Sequence, residues 1–104
     1  MKDDFYTLTF LKIDDTNREQ FLHVWETVFA PAFSKLNPYS KVTLIQSLEN
    51  PNNYVSFGTW IDLNQMQSSR ANDNYRSALN QLVSLCIEVR PGSFKNILSV
   101  SGNK

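Results

Sequence analysis

Apolar residues in this chain recur at two different spacings, and the order in which the spacings alternate restricts the fold more than any other feature. From Phe5 to Ile13 the period is two, and the run is rich in β-branched and aromatic side chains. Tyr6, Leu8 and Phe10 fall on one side, while Phe5, Thr7, Thr9, Leu11 and Ile13 fall on the other. Both sides carry apolar residues, so this strand needs cover on both faces. Asp14-Asp15 ends it. Thr16-Asn17-Arg18-Glu19 then has the sequence of a capping box. After it Phe21, Trp25, Val28 and Ala32 recur at helical spacing, with Leu22, Phe29 and Phe33 on a flanking line. Pro31 lacks an amide hydrogen and is expected to weaken or kink the last turn.

Period two returns from Ser40 to Glu49 and from Asn53 to Ile61, with Asn50-Pro51-Asn52 between them, which predicts a hairpin. Val42, Leu44, Gln46 and Leu48 share one face of its first strand. In its second strand Val55, Phe57, Thr59 and Ile61 lie opposite Tyr54, Ser56, Gly58 and Trp60. Asp62-Leu63-Asn64-Gln65 resembles a second capping box and opens a short helix to about Ala71. Asn72 or Asp73 caps the next helix, whose stripe is Tyr75, Ala78, Leu79, Leu82, Val83 and Cys86. Arg90-Pro91-Gly92 reads as a turn, and Phe94 to Val100 as the last strand.

Strand, helix, strand, strand, broken helix, strand is the order of an α+β ferredoxin-like β-α-β-β-α-β domain with an antiparallel sheet. Its helices cover one sheet face only. The apolar residues on the other face call for a second sheet, most simply that of an identical subunit, which predicts a homodimer. The 104 residues suffice for one domain spanning 1–104, with a core from about 5 to 100.

Ten basic and ten acidic residues balance, so no strong field draws in nucleic acid or an anionic membrane. Apolar runs are too short to span a bilayer. Met1-Lys2-Asp3-Asp4 does not begin a secretory signal, and a single cysteine cannot form an internal disulfide; a cytoplasmic protein is expected. One histidine, one cysteine and no ligand-spaced carboxylates argue against a metal site.

Several short motifs together carry a resemblance. They are Glu19-Gln20-Phe21 on the first helix, Asn50-Pro51-Asn52-Asn53-Tyr54 at the hairpin tip, Thr59-Trp60-Ile61-Asp62 at the strand-to-helix junction, and Asn72-Asp73-Asn74-Tyr75 at the next helix start. From about Phe5 to Val100 the chain resembles the antibiotic-biosynthesis-monooxygenase family and its dimeric α+β barrel relatives. The resemblance implies a small aromatic, quinol-like or anthrone-like substrate, molecular oxygen as co-substrate, no cofactor, and a pocket between sheet and helices near Trp60 and Tyr75. Family members that degrade haem use an Asn on the first strand, a Trp ending the third and a His on the late helix. Only Trp60 matches here, which argues against haem. The usual Pro-Gly before the second strand reads Pro38-Tyr39, a change expected to alter the pocket rim.

The candidate catalytic residues are His23, Trp60 and Tyr75; the candidate substrate contacts are Tyr6, Ser56, Gly58 and Arg76. Gly58 lacks a side chain beside the Trp60 indole, which leaves either room for a flat ligand or a glycine gap under a packed tryptophan. Tyr75 either hydrogen-bonds a substrate oxygen or begins the apolar stripe of its helix. His23 is the sole histidine and so the default acid–base group, yet its helical phase follows Glu26, Thr27 and Ala30, away from the apolar face. Tyr6 has the same pocket-or-core ambiguity, and Arg76 is either an anion ligand or a solvated side chain. Cys86 ends an apolar stripe and reads as an inert buried thiol. Two functions are compatible with this set: a cofactor-independent monooxygenase, and a non-catalytic dimeric ligand-binding or stress-associated domain of the same fold.

Overall fold

The computed structural model describes residues 5–38 and 40–102. Tyr39, in the loop expected to reshape the pocket rim, and Met1 to Asp4 lie outside the described residues. Strands β1 (Phe5–Ile13), β2 (Val42–Gln46), β3 (Asn53–Trp60) and β4 (Cys86–Lys95) form an antiparallel sheet in the order β2-β3-β1-β4. This is the ferredoxin-like arrangement that the alternating periods predict. The first helical region comprises α1 (Arg18–Val24), a π turn (Trp25–Phe29) and α2 (Ala30–Leu36). The second comprises α3 (Leu63–Ser68), a 3-10 turn (Ser69–Ala71) and α4 (Asp73–Val83).

The two faces of the sheet separate as the alternation requires. Phe5, Thr7, Thr9 and Leu11 pair with Trp60, Gly58, Ser56 and Tyr54, and this face lies under the helices. Tyr6, Leu8 and Phe10 pair with Thr59, Phe57 and Val55 on the opposite face. The core beneath the helices holds Leu11, Ile13, Phe21, Phe29, Phe33, Tyr54, Trp60, Tyr75 and Leu82.

Local details depart from the sequence reading, each for a physical reason. Thr16 does not form a capping box: the Asp14 carboxylate accepts from the Thr16 amide at 3.1 Å and also from its hydroxyl. A 3-10 turn (Asp15–Asn17) follows, and the helix proper starts at Arg18. The Asp14 carboxylate, two residues back and one methylene shorter than that of Glu19, takes the Thr16 amide in a local Asx turn. Asp62 does cap α3, accepting from the Asn64 amide at 2.9 Å, but Gln65 turns away and donates to the Leu36 carbonyl at 2.7 Å. Asn72 caps α4 through the Tyr75 amide.

Pro31 neither ends nor breaks the first helical region. The Ala30 amide donates to the Trp25 carbonyl, five residues back, so the turn before the proline is widened. Widening makes room for a ring that would otherwise crowd the carbonyl four residues earlier. The extra residue advances the helical phase, and Phe29, Ala32 and Phe33 are buried while Val28 is only partly covered.

The last strand also differs from expectation. Pro91 and Gly92 lie inside β4, opposite Thr9 and Leu8, and do not form a turn. An edge strand tolerates a residue without an amide hydrogen, because one of its sides has no ladder to supply. The strand ends where Phe5 meets Lys95, so residues 96–100, read as strand, continue outside the sheet. Cys86 opens this strand and does not belong to α4.

Candidate functional site

Along β3 the side chains of Tyr54, Ser56, Gly58 and Trp60 form one row, and the first helical region supplies a partner for each in turn. Phe21 packs on Tyr54 with ring centres 5.2 Å apart. The Trp25 indole N–H donates to Ser56 Oγ at 3.0 Å. Phe33 lies over Gly58 and meets Trp60 edge-on at 5.0 Å. Trp60 is wholly buried, and its indole N–H donates across the sheet to Thr7 Oγ1 at 3.2 Å. Phe29 joins the two helical regions: its ring lies 6.2 Å from Trp25 and 5.7 Å from Tyr75. The result is a continuous aromatic layer in which two indole N–H groups are held by hydroxyls.

The space over Gly58 is taken. A Cβ built on that glycine would come within 2.8 Å of Phe33 Cε2 and 2.9 Å of Thr7 Oγ1. The glycine therefore admits the chain's own phenyl ring. Tyr75 is buried against Phe29, and burial pushes its phenol up to about 12, so the group is protonated at neutral pH. A phenol in that state can donate a hydrogen bond to an oxyanion but is a poor base.

The structure brings Trp60, Tyr75, Ser56 and Gly58 into the layer beneath the helices. It does not bring the others there. Tyr6 lies on the opposite sheet face and stacks on Phe57 at 5.4 Å. His23 and Arg76 are exposed on their helices. Cys86 is half-buried, its thiol donates to the Leu82 carbonyl at 3.4 Å, and burial pushes it up to about 11, as befits an inert thiol. Thr7 and Trp25 belong to the site but carried no functional signal in the sequence. Alternation places Thr7 on the correct strand face, but only the β1–β3 register sets it beside Trp60. Trp25 is indistinguishable from helix core until its indole finds Ser56.

Two grooves flank this layer. One, of about 300 Å³, runs between the first helical region and α4 and includes Pro31, Lys35, Asn74 and Ala78. The other, of about 380 Å³, lies on the side of the sheet away from the helices and includes Phe10, Ile45, Val55 and Arg90. Among the described residues no cluster of His, Cys, Asp and Glu could hold a metal ion, and no helix is long and apolar enough to cross a membrane.

Known structures share this fold across their whole length. A mutant of SnoaB, a cofactor-independent oxygenase from Streptomyces nogalater, superposes with a TM-score of 0.81 at 18% identity, covering 97% of this chain and 100% of that one. A candidate antibiotic biosynthesis monooxygenase from Deinococcus radiodurans gives 0.78 at 12% identity, covering 96% and 99%. Rv0793 from Mycobacterium tuberculosis gives 0.74 at 12% identity, covering 93% and 98%. No protein-family model and no curated relative matches the sequence. The chain thus has the fold of the antibiotic biosynthesis monooxygenases.

Proposed function

We propose that this protein is a cofactor-independent monooxygenase of a small aromatic, quinol-like or anthrone-like substrate, working as a homodimer. The observation that carries the reading is the hydrogen-bonded aromatic layer of Trp25, Phe29, Phe33, Trp60 and Tyr75, on a fold shared end to end with a cofactor-independent oxygenase. Such chemistry asks little of the protein beyond orientation, exclusion of water and support for an oxyanion. An anthrone anion gives one electron to oxygen, and the radical pair joins through a new C–O bond. The peroxide so formed takes up the proton and loses water, leaving a carbonyl on the ring. Tyr75, held protonated, donates to the substrate oxygen on which the negative charge resides. A planar ring enters over Gly58 by displacing Phe33, with Trp60 and Ser56 behind it. His23 and Arg76 are exposed, and this scheme gives them no role. Tyr6 belongs to the face that meets the second subunit.

Oxygen uptake with a panel of quinols and anthrones tests the enzyme. Uptake above the spontaneous rate is expected for at least one, reduced about tenfold or more by Tyr75→Phe. The filled space above Gly58 favours a second reading, a ligand-binding domain without chemistry. Binding of an unreactive anthraquinone with no catalysed uptake of oxygen by any substrate would select it. Sedimentation at micromolar concentration tests the dimer.

A further inference from the structure

The sheet face under the helices is not closed along its whole width. At its outer edge β4 contributes Pro91 and Ser93 to this face, opposite Thr9 and Thr7 of β1. Pro91 and Ser93 are exposed and Thr7 and Thr9 only partly covered, whereas Ser56 and Trp60 on β3 are buried. An open shelf therefore borders the aromatic layer, and its floor carries the hydroxyls of Thr7, Thr9 and Ser93. Gly58, Thr7 and Ser93 lie in one row across β3, β1 and β4. Neighbouring strands are about 4.8 Å apart, so this row spans roughly 10 Å, about the length of a fused aromatic ring system.

Arg70 stands at the far end of the row. Its 3-10 turn is pinned, because the buried Ser69 hydroxyl donates to the Met66 carbonyl at 2.6 Å and the Asn72 amide donates to the Ser69 carbonyl at 3.1 Å. From that turn the Arg70 guanidinium reaches β4 and donates to Ser93 Oγ at 3.3 Å. This is one long bond to a neutral acceptor. Among the described residues no carboxylate lies within ion-pairing distance of Arg70. A guanidinium has a planar fork of N–H donors, so most of them are left for another acceptor. Lys95, on the same sheet face and two residues beyond Ser93, adds a second positive charge to this edge.

We propose that Arg70 selects an acidic ligand for this site, pairing with a carboxylate at the end of a fused-ring substrate remote from Trp60. This rests on the monooxygenase reading above and narrows its substrate class to aromatics that carry a carboxylate. The ring system lies across Gly58, Thr7 and Ser93 with its reacting end beside Trp60 and Tyr75, and its carboxylate takes the place of Ser93 on the guanidinium. Arginine meets a carboxylate through two parallel hydrogen bonds, which fixes the position of the rings along the row as well as adding affinity. A neutral substrate leaves that fork unused.

The test compares anthraquinone-2-carboxylate with anthraquinone-2-carboxamide as unreactive probes, their binding read by quenching of tryptophan fluorescence. Wild type should bind the carboxylate about tenfold or more tightly than the amide. Arg70→Gln should bring the carboxylate to the affinity of the amide, and Arg70→Lys should keep part of the preference. In oxygen uptake with an anthrone carboxylate, Arg70→Gln should raise KM far more than it lowers kcat, because the contact is made equally in the ground and transition states. A preference that survives in Arg70→Gln, no preference in wild type, or no binding of either probe by wild type overturns the assignment. Catalysed oxygen uptake with acidic and neutral anthrones alike overturns it too and leaves the monooxygenase standing. A preference that Arg70→Gln erases, with no catalysed uptake of oxygen by any substrate, removes the monooxygenase and leaves Arg70 as the anion contact of a ligand-binding domain.

Discussion

The two faces of the sheet are built from the same strands with similar apolar content, yet they behave oppositely. Under the helices, Trp60, Ile13 and Phe21 are fully buried and the indole nitrogens of Trp25 and Trp60 have hydroxyl partners. On the other side Phe10, Ile45 and Phe94 remain about half in water. Stacking of Tyr6 on Phe57, and of the Arg90 guanidinium over the Phe10 ring at 5.7 Å, relieves this only in part. The difference teaches that one face is finished by its own chain and the other is not. The proposed chemistry is placed on the first and the proposed dimer on the second.

That contrast can be broken at its strongest point first. Replacing Trp60 by Ala removes the largest fully buried side chain and should cost roughly 3–5 kcal/mol, read as a fall in the thermal or denaturant midpoint. A cost under about 1 kcal/mol would mean the helix-covered face is less finished than its packing implies. Next, Gly58→Ala should destabilise by about 1–3 kcal/mol, because the new methyl meets Phe33 and Thr7 inside contact distance. Combining it with Phe33→Leu should return part of that loss.

Burial of Tyr75 gives a pH-dependent arm to the same comparison. Its folded phenol ionises near 12 against an ordinary value of 10.0, so the unfolded chain gives up this proton first as the pH rises. Stability from this group is complete below pH 10 and is lost toward pH 12, a loss of at most about 3 kcal/mol. Denaturant midpoints measured from pH 9 upward should therefore fall more steeply in wild type than in Tyr75→Phe. Smallest of all is the effect expected on the other side of the sheet. Phe94→Ser should change the stability of the isolated subunit by less than about 0.5 kcal/mol. If the midpoint drops further while the protein remains monomeric, Phe94 is contributing to the subunit's own core.

The periodicities made the sheet topology and both faces of β3 legible, because an alternating strand has only two ways to point. Local competition between donors and acceptors was less legible. Whether Asp14 or Glu19 accepts from the Thr16 amide depends on backbone geometry that spacing does not record. Pro91-Gly92 has the composition of a turn, and only its place on an edge strand makes it compatible with a ladder. The pairing of Trp60 with Thr7 spans 53 residues, a separation no local pattern reaches. The sequence leaves Gly58 as either room for a ligand or a gap under a packed tryptophan, because the ring that fills the space comes from a helix whose phase is displaced by the π turn.

That π turn has a genetic consequence. It is equivalent to one amino acid inserted into an otherwise regular helix, and each α-helical residue turns the chain by about 100°. Deleting a single codon between Trp25 and Phe29 would therefore restore regular winding and leave Phe33 facing Gly58 and Trp60. A lineage could thereby gain or lose the turn in a single in-frame step while its aromatic layer stays closed.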